Sequence, residues 1–279
     1  MNNNANDERI IFHIDVNSAF LSWTAVKLLE DGEELDIRTV PSIIGGDSDK
    51  RHGIVLAKSI PAKKFGIETA EPIVNALRKC PELIIKASDF NTYKKNSLAL
   101  MEHLSSFCPD IEQVSIDECY MDFTPIRHNY SSPIEAANII KNSVKELLGF
   151  TVNIGISDRK VLAKMASDFE KPDKVHTLFS YEIKEKMWPL PTKDLYMCGK
   201  SSQQQLFKLG IRTIGDLAKY DLSILTSNLK SHGKMLHDFA NGIDDSKVEL
   251  SHEPVKGVGN STTLDHDLLS REEALSTLL

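Results

Sequence analysis

Two apolar runs in this chain carry acidic residues, and they limit the ways in which the chain can fold. The first run, residues 10–16, contains Asp15, and the second, residues 114–123, contains Asp117 and Glu118. Both runs are rich in β-branched and aromatic residues, so both predict β-strands. A carboxylate buried in a strand is costly unless a cation or a donor compensates it. We therefore expect folding to bring the three acids around a shared cation, and ligands that are all oxygen suit Mg²⁺ better than zinc.

Each acid also has a simpler interpretation. Asp15 lies at the end of its run and could cap the turn that follows it. Asp117 and Glu118 are harder to explain in this way, because neighbouring residues of a strand face opposite sides. One of the two would face the core, or the chain would bend there, and a metal site at such a bend accounts for both acids.

The composition is that of a soluble globular protein with two or three cores, since 41% of the 279 residues are hydrophobic and 26% are charged. No apolar stretch reaches the roughly 18 residues needed to cross a membrane, and residues 1–8 predict a disordered tail rather than a signal peptide. The four cysteines show no CxxC spacing, which favours reduced thiols in a cytoplasmic protein. The net charge of −7 argues mildly against a nucleic-acid partner, but local patches decide this.

The order of the predicted elements indicates an α+β fold with helices on one face of a sheet, similar to a split βαβ arrangement. From about residue 180 the pattern becomes helical with short loops, which predicts a separate small domain. The predicted strands lie at 9–15, 39–40, 54–57, 114–123, 151–156 and 175–178, and the longer predicted helices lie at 18–30, 91–107, 133–148 and 159–169.

Four motifs occur together in the chain. In order they are Asp15-Val16-Asn17-Ser18-Ala19-Phe20, residues 57–67, Ser115-Ile116-Asp117-Glu118 and residues 155–164. With these motifs the chain resembles the Y-family, lesion-bypass DNA polymerases from about residue 9 to its end. The resemblance implies a right-hand polymerase core of the α+β class. Its parts are a ferredoxin-like palm sheet, small α/β fingers and an all-helical thumb of helix-hairpin-helix elements.

The resemblance also implies a division into domains. The palm would comprise residues 9–18 and 89–178, the fingers residues 19–88, and the thumb residues 179–247. Residues 248–279 would form a linker and the start of a little-finger domain, with its first strand at 256–264. Because the chain stops within a predicted helix, we expect a truncated little finger.

For the palm, the resemblance implies that Asp15, Asp117 and Glu118 are the catalytic residues. The same three side chains and the backbone carbonyl of Val16 would bind two Mg²⁺ ions, for which Mn²⁺ could substitute. Such ions activate the attacking 3′-oxygen and support the leaving pyrophosphate, which is the chemistry that nucleotidyl transfer needs.

For the nucleotide, the resemblance implies three contacts. Phe20 matches a ring that excludes the ribose 2′-OH by steric clash, while Lys160, at the start of a helix, and Lys63 match residues that bind the triphosphate. The alternatives are that Phe20 belongs to the core and that Lys160 is solvated. Many relatives carry Tyr and Arg where this chain has Ile60 and Lys63. Ile cannot hydrogen-bond a phosphate and Lys lacks the planar fork of Arg, so nucleotide affinity is in question.

For the DNA, the resemblance implies two thumb hairpins, one with Gly199 and Lys200 and the other with Gly233 and Lys234. Hairpin N–H groups at a helix start contact phosphate without reading the sequence. Met197 occupies the position where the first hairpin usually has glycine. The alternative is an ordinary turn in a helical bundle.

We therefore predict a template-directed DNA polymerase that adds dNTPs to a primer 3′ end in translesion synthesis. Its partners would be primer–template DNA, dNTPs and a sliding clamp bound through an absent C-terminal segment, with no membrane. Two rival hypotheses remain. A nucleotidyl cyclase uses a similar sheet and two metal-bound carboxylates but needs no duplex grip. A DNA-binding paralogue without turnover would explain Ile60 and Lys63, but it would not need all three acids.

Overall fold

The computed structural model describes residues 9–46, 53–250, 257–259, 261, 264 and 266–278. The predicted tail at 1–8 and much of the predicted strand at 256–264 lie outside these residues. The described residues of the latter segment do not form a strand. None of the described helices is long and apolar enough to cross a membrane.

The larger of two sheets has five strands in the order β5-β6-β1-β7-β8. The central strand β1 is antiparallel to β6 and to β7, and this register places Asp15 opposite Glu118 on one side and Asn153 on the other. The first acid-bearing run is therefore paired directly with the second. The strands are β1 (Ile11–Val16), β5 (Ile111–Gln113), β6 (Glu118–Asp122), β7 (Val152–Ser157) and β8 (Val175–Thr177).

The second acidic run does not form one continuous strand, so the prediction of a strand over 114–123 is wrong in its first half. Residues 114–117 form the turn between β5 and β6, closed by hydrogen bonds from the backbone N–H groups of Val114 and Ser115 to the Glu118 carbonyl at 3.1 and 3.3 Å. Asp117 thus lies in the turn, and Glu118 begins the strand. The bend that the adjacent acids suggested is present.

Three helices complete the main core with this sheet: α1 (Ala19–Glu30), α4 (Phe90–Ser105) and α5 (Pro133–Leu148). The bounds of α5 agree with the predicted ones because local signals set both ends. The Ser132 side chain accepts a hydrogen bond from the backbone N–H of Glu135, Pro133 occupies the first turn, and Gly149 ends the helix at a φ of 76°.

The smaller sheet has three strands in the order β3-β2-β4. The predicted strand at 39–40 is wrong, because residues 37–39 form a 3₁₀ turn whose start is capped by the Asp36 side chain. The chain enters β2 only after Pro41. Strand β4 was not predicted. The elements of this unit are β2 (Ser42–Gly45), β3 (Val55–Lys58), α2 (Ile60–Lys64), α3 (Ile73–Lys79) and β4 (Ile84–Ala87).

The C-terminal part of the described chain is helical, as predicted. Its core also includes one face of α6 (Lys160–Ser167), whose opposite face packs on β7. The α6–β7 approach is close because Gly155 has no side chain, and a Cβ there would overlap the Ala163 carbonyl oxygen. The other helices are α7 (Lys200–Lys208), α8 (Ile214–Ala218), α9 (Leu222–Ala240) and α10 (Arg271–Leu278).

The buried residues form separate cores for the larger sheet, the smaller sheet and the helical part. Leu21 and Trp23 of α1 share the core of the larger sheet with Phe12. By its packing α1 therefore accompanies the predicted palm, although the predicted fingers begin at residue 19. The division into domains stays a prediction.

Two hairpins of the helical part place a non-glycine residue in the left-handed region. Met197, half exposed before α7, has a φ of 66°, and Lys230, where α9 is broken, has a φ of 57°. Left-handed backbone costs roughly 1–2 kcal/mol for a residue with a Cβ. Both turns are held by the surrounding packing rather than by the preference of their own residue.

We expect Met197→Gly to raise the free energy of unfolding by about 0.5–1 kcal/mol, since the gain in the folded turn exceeds the extra freedom of glycine in the unfolded chain. Chemical denaturation measures the change. Met197→Ala is the matched control, because it keeps the unfavourable φ. Equal stabilities for the two variants would contradict this explanation.

Candidate active site

The three acids lie at one end of the central strand pair. Asp15 is opposite Glu118 in the sheet, and the backbone N–H of Val16 donates to the Asp117 carbonyl at 3.0 Å, which ties the turn to the end of β1. Asp15 is about a hundred residues from Asp117 and Glu118 in the sequence, yet the antiparallel register makes them neighbours. The structure thus brings together all three predicted catalytic residues.

Asp117 lacks a cation among the described residues. Its Oδ1 accepts a hydrogen bond from the Ser115 hydroxyl at 2.7 Å. Burial raises the pKa of Asp117, and the charges of Asp15 and Glu118 raise it further. Among the described residues, no side chain of the site compensates the negative charge of Asp117.

The other two acids are bound by lysines. Lys171 forms an ion pair with Asp15 and a second one with Asp168 at 2.8 Å, and Lys164 forms an ion pair with Glu118. Burial acts against the charged form of Lys171, but the Asp15 carboxylate outweighs it, and the pKa of Lys171 is raised. Lys171 was not among the predicted site residues.

His13 is a second residue that sequence reasoning missed. It is fully buried on β1, with Nε2 3.4 Å from Glu118 Oε2 and Nδ1 2.8 Å from the Ser167 hydroxyl, which donates to Nδ1 when the single N–H of a neutral ring faces Glu118. Burial lowers the pKa of His13, so the ring is neutral at pH 7. The contact with His13, and next the Lys164 ammonium, lower the pKa of Glu118 to about 2. Glu118 is therefore ionised and held from two sides.

Phe20 lines a cleft of about 240 Å³ together with Asp117 and Val16. Its ring stacks on Tyr93 with centroids 4.6 Å apart and meets the edge of Phe90 at 6.3 Å. The ring is thus supported by the core on one side and borders the cleft on the other. The two alternatives for Phe20, core and cleft wall, are both partly correct.

A larger cavity of about 650 Å³ adjoins this cleft between the two sheets. Lys63 and Lys171 both line it, and the Lys63 ammonium makes no hydrogen bond or ion pair within the described part of the chain. Ile60 also lines this cavity and is 51% exposed. An anion that entered would meet a cluster of cations, comprising Arg38, Lys58, Lys63, Lys145 and Lys171.

The structure does not bring Lys160 to this site. Its ammonium lies 2.6 and 2.8 Å from the Glu112 carboxylate oxygens and 3.1 Å from the Lys247 carbonyl oxygen, and it lines neither cavity. The start of α6 is instead taken up by Asp244, which accepts from the backbone N–H of Val161 at 2.8 Å. The predicted triphosphate contact of Lys160 finds no support in this geometry, because its ammonium binds Glu112 of β5 and the Lys247 carbonyl.

The four predicted thumb residues fall into two groups. Gly199 precedes α7 with open space around it, and Lys200 is exposed beside it. Gly233 is buried within α9, where a Cβ would lie 2.6 Å from the Leu225 carbonyl oxygen, and Lys234 pairs with Asp238 at 2.5 Å. Gly233 therefore has a packing role, while a DNA contact of any of the four stays a prediction.

The acidic end of the sheet is the candidate metal site. Among the described residues, no three side chains of the His, Cys, Asp or Glu type are arranged to hold an ion, and lysines bind Asp15 and Glu118. The donors are nevertheless all oxygens, and Asp117 pairs with no cation among the described residues. This donor set fits a hard divalent cation that competes with the two lysines.

Comparison with known proteins gives consistent matches. The model of the impB/mucB/samB family matches residues 14–168. A protein named DNA polymerase IV from Clostridium acetobutylicum is 53% identical over 265 residues, which are 95% of this chain and 67% of that protein. DNA polymerase IV 1 from Bacillus subtilis is 38% identical over 268 residues, 96% of this chain and 63% of that protein.

Solved structures show the same arrangement of elements. The crystal structure of DinB from Sulfolobus solfataricus superimposes with a TM-score of 0.77 at 24% identity, covering 86% of this chain and 69% of that one. A Y-family DNA polymerase chimera superimposes with a TM-score of 0.76 and the same coverage. At this identity the likeness concerns the fold. The chain spans about two thirds of the length of the curated relatives.

Proposed function

The chain belongs to the impB/mucB/samB family of Y-family DNA polymerases, and from this we infer that it is a template-directed DNA polymerase of translesion synthesis, like its relatives named DNA polymerase IV. The right-hand α+β fold predicted from the sequence is confirmed by the solved structures. Family membership also sets aside the rival hypothesis of a nucleotidyl cyclase.

The observation that carries the proposed mechanism is the position of Asp117, which neighbours the other two acids and lines a cleft that shares Ser18 and Lys58 with the larger cavity. The deoxyribose of the incoming dNTP would lie in the cleft between Phe20 and Asp117. Its triphosphate would lie in the larger cavity, between Lys63 and Lys171. The nucleotide then spans the gap between the two sheets with its reacting end beside the acids, which is the positioning that phosphoryl transfer requires.

Family membership implies a divalent metal, and we propose two Mg²⁺ ions, with Mn²⁺ as a substitute. Asp15, Asp117, Glu118 and the Val16 carbonyl would hold them. When bound, such ions supply charge stabilisation for the attacking and leaving oxygens. The protein contributes the fixed geometry, because His13 and Lys164 hold Glu118, and Ser115 orients Asp117.

Primer–template DNA would lie against the thumb hairpins at Gly199 and Lys200, with Lys234 near the second hairpin. A sliding clamp bound through a C-terminal segment and a cytoplasmic location stay predictions. The remaining rival, a DNA-binding paralogue without turnover, is decided by primer extension on an undamaged template with Mg²⁺ and each dNTP in turn. We expect incorporation directed by the template base. Tight binding of the duplex without incorporation would favour the paralogue.

A second experiment decides which lysine binds the triphosphate. We expect Lys171→Gln to raise KM for dNTP about tenfold or more, because a charge-assisted hydrogen bond contributes about 1.5–3 kcal/mol. Lys160→Gln should leave KM nearly unchanged, since Glu112 and the Lys247 carbonyl already occupy that ammonium. Steady-state primer extension over a dNTP series measures both variants. The reverse pattern would return the role to Lys160.

A further inference from the structure

One lysine stands where the two cavities meet. Lys58 and Ser18 are the residues common to the walls of the Phe20 cleft and of the larger cavity. Ser18 lies between β1 and α1, and Lys58 is the last residue of β3 on the opposite wall. A ligand that extends from one cavity into the other would therefore lie against these two residues.

The strand places the Lys58 side chain there. Along β3 the burial alternates, with Val55 and Ala57 buried and Leu56 and Lys58 half-buried, and residues 56–58 all line the Phe20 cleft. Ser59 then caps α2 by accepting from the backbone N–H of Ala62 at 3.1 Å. The position of Lys58 is thus fixed by a strand before it and a capped helix after it.

The Lys58 ammonium is anchored but not neutralised. It donates to the Ile67 carbonyl at 2.7 Å, and no carboxylate pairs with it among residues 9–46, 53–250 and the described part of 257–278. A lysine ammonium has three donors, so two of them are left for a ligand. Glu71 of the same unit is bound by Lys79 at 2.6 Å.

The electrostatic surroundings favour an anion. Burial lowers the pKa of Lys58, and the charge of Lys63 lowers it further, against smaller opposing contributions from Glu68 and Glu71. Two cations of the same unit therefore face the cavities. A phosphate between them would remove their mutual repulsion and gain a charge-assisted hydrogen bond from each.

We propose that Lys58 binds the phosphate of the incoming nucleotide that lies nearest the sugar, where the nucleotide passes from the Phe20 cleft into the larger cavity. Lys58 thereby supplies a phosphate contact on the fingers side, where Ile60 has no donor. This inference rests on the proposed polymerase function. It makes Lys58, Lys63 and Lys171 the three cations along the triphosphate.

The test uses two variants with opposite properties. Lys58→Gln keeps a donor for the Ile67 carbonyl but removes the charge, and Lys58→Arg keeps the charge. Dissociation constants for dNTP are measured by titration onto the protein bound to a dideoxy-terminated primer–template, so that no transfer occurs. We expect Lys58→Gln to weaken dNTP binding about tenfold or more and Lys58→Arg to restore most of it, with the affinity for the primer–template unchanged in both.

Lys64→Gln is the matched control, because Lys64 is an exposed lysine of α2 that lines neither cavity. It should bind dNTP like the parent. Unchanged dNTP binding in Lys58→Gln would overturn the inference, and so would equal losses in Lys58→Gln and Lys64→Gln, which would indicate a general field effect. If Lys58→Arg loses dNTP binding while Lys58→Gln retains it, the role of Lys58 would be its hydrogen bond to the Ile67 carbonyl and not a phosphate contact.

The result is separable from the proposed function. Because the titration does not require turnover, a parent protein that binds dNTP but does not extend primers would contradict the polymerase activity and leave the Lys58 contact measurable. Conversely, if the parent extends primers and Lys58→Gln binds dNTP as tightly as the parent, only this inference would be contradicted.

Discussion

Asp117→Asn should reduce the rate of primer extension by at least about a thousandfold, equivalent to about 4 kcal/mol of transition-state stabilisation. Asp117 is the acid of the site that no lysine neutralises among the described residues, and its replacement removes the negative charge that a divalent cation would bind. Single-turnover extension in saturating Mg²⁺ and dNTP measures the loss.

The fold of this variant should be intact. Because the folded protein raises the pKa of Asp117, the ionised form is less favourable in the folded than in the unfolded chain, and this penalty grows as the pH rises through the raised pKa. Asparagine is neutral and keeps an oxygen for Ser115, so the melting temperature at pH 7 should be equal or higher. Asp245→Asn, an exposed acid outside the site, serves as control and should retain full activity. Activity of Asp117→Asn within about tenfold of the parent would refute the assignment of a metal site here.

Phe20→Ala should admit ribonucleotides, lowering the preference for dNTP over rNTP about a hundredfold or more. The Phe20 ring borders the cleft and is backed by Tyr93 at 4.6 Å, so it cannot retreat from a 2′-OH without disturbing the core. Truncation opens that space. The ratio of kcat/KM for matched dNTP and rNTP pairs measures the effect.

Phe90→Ala is the informative control for this prediction. Phe90 belongs to the same aromatic group, 5.5 Å from Tyr93, but does not line the cleft. Because Phe90 is 55% exposed, its truncation should cost little stability and should leave sugar selectivity unchanged. Equal selectivity in the parent and in Phe20→Ala, with reduced stability, would make Phe20 a core residue only.

Local signals explain what the sequence could predict. Ser132, Pro133 and Gly149 set the ends of α5, and the β-branched and aromatic residues of the first acidic run predicted β1. The proximity of Asp15, Asp117 and Glu118 was predictable, because the charge of a buried carboxylate must be compensated by a cation or a hydrogen-bond donor. His13 obeys the same logic, since it is a polar residue between buried Phe12 and Ile14, and it could have been found in this way.

Other features depend on contacts between distant parts of the chain. Lys160 has the position of a phosphate-binding residue at a helix start, but Glu112 of β5 reaches it across the fold. Lys171 follows α6 in an irregular segment with no pattern of its own, and only the folded chain brings it to Asp15, 156 residues earlier. The strand was predicted to begin at residue 114 because Val114 and Ile116 are β-branched, although the adjacent acids suggested the bend that is present there.

Helix α6 has a mechanical consequence. Val161, Leu162 and Met165 belong to the core of the helical part, while Lys164 of the same helix forms the ion pair with Glu118, and Gly155 lets the helix lie close against β7. One helix therefore takes part both in the core of the helical part and in the acidic site. A displacement of that core relative to the sheet would move Lys164 with it and would alter the position of Glu118.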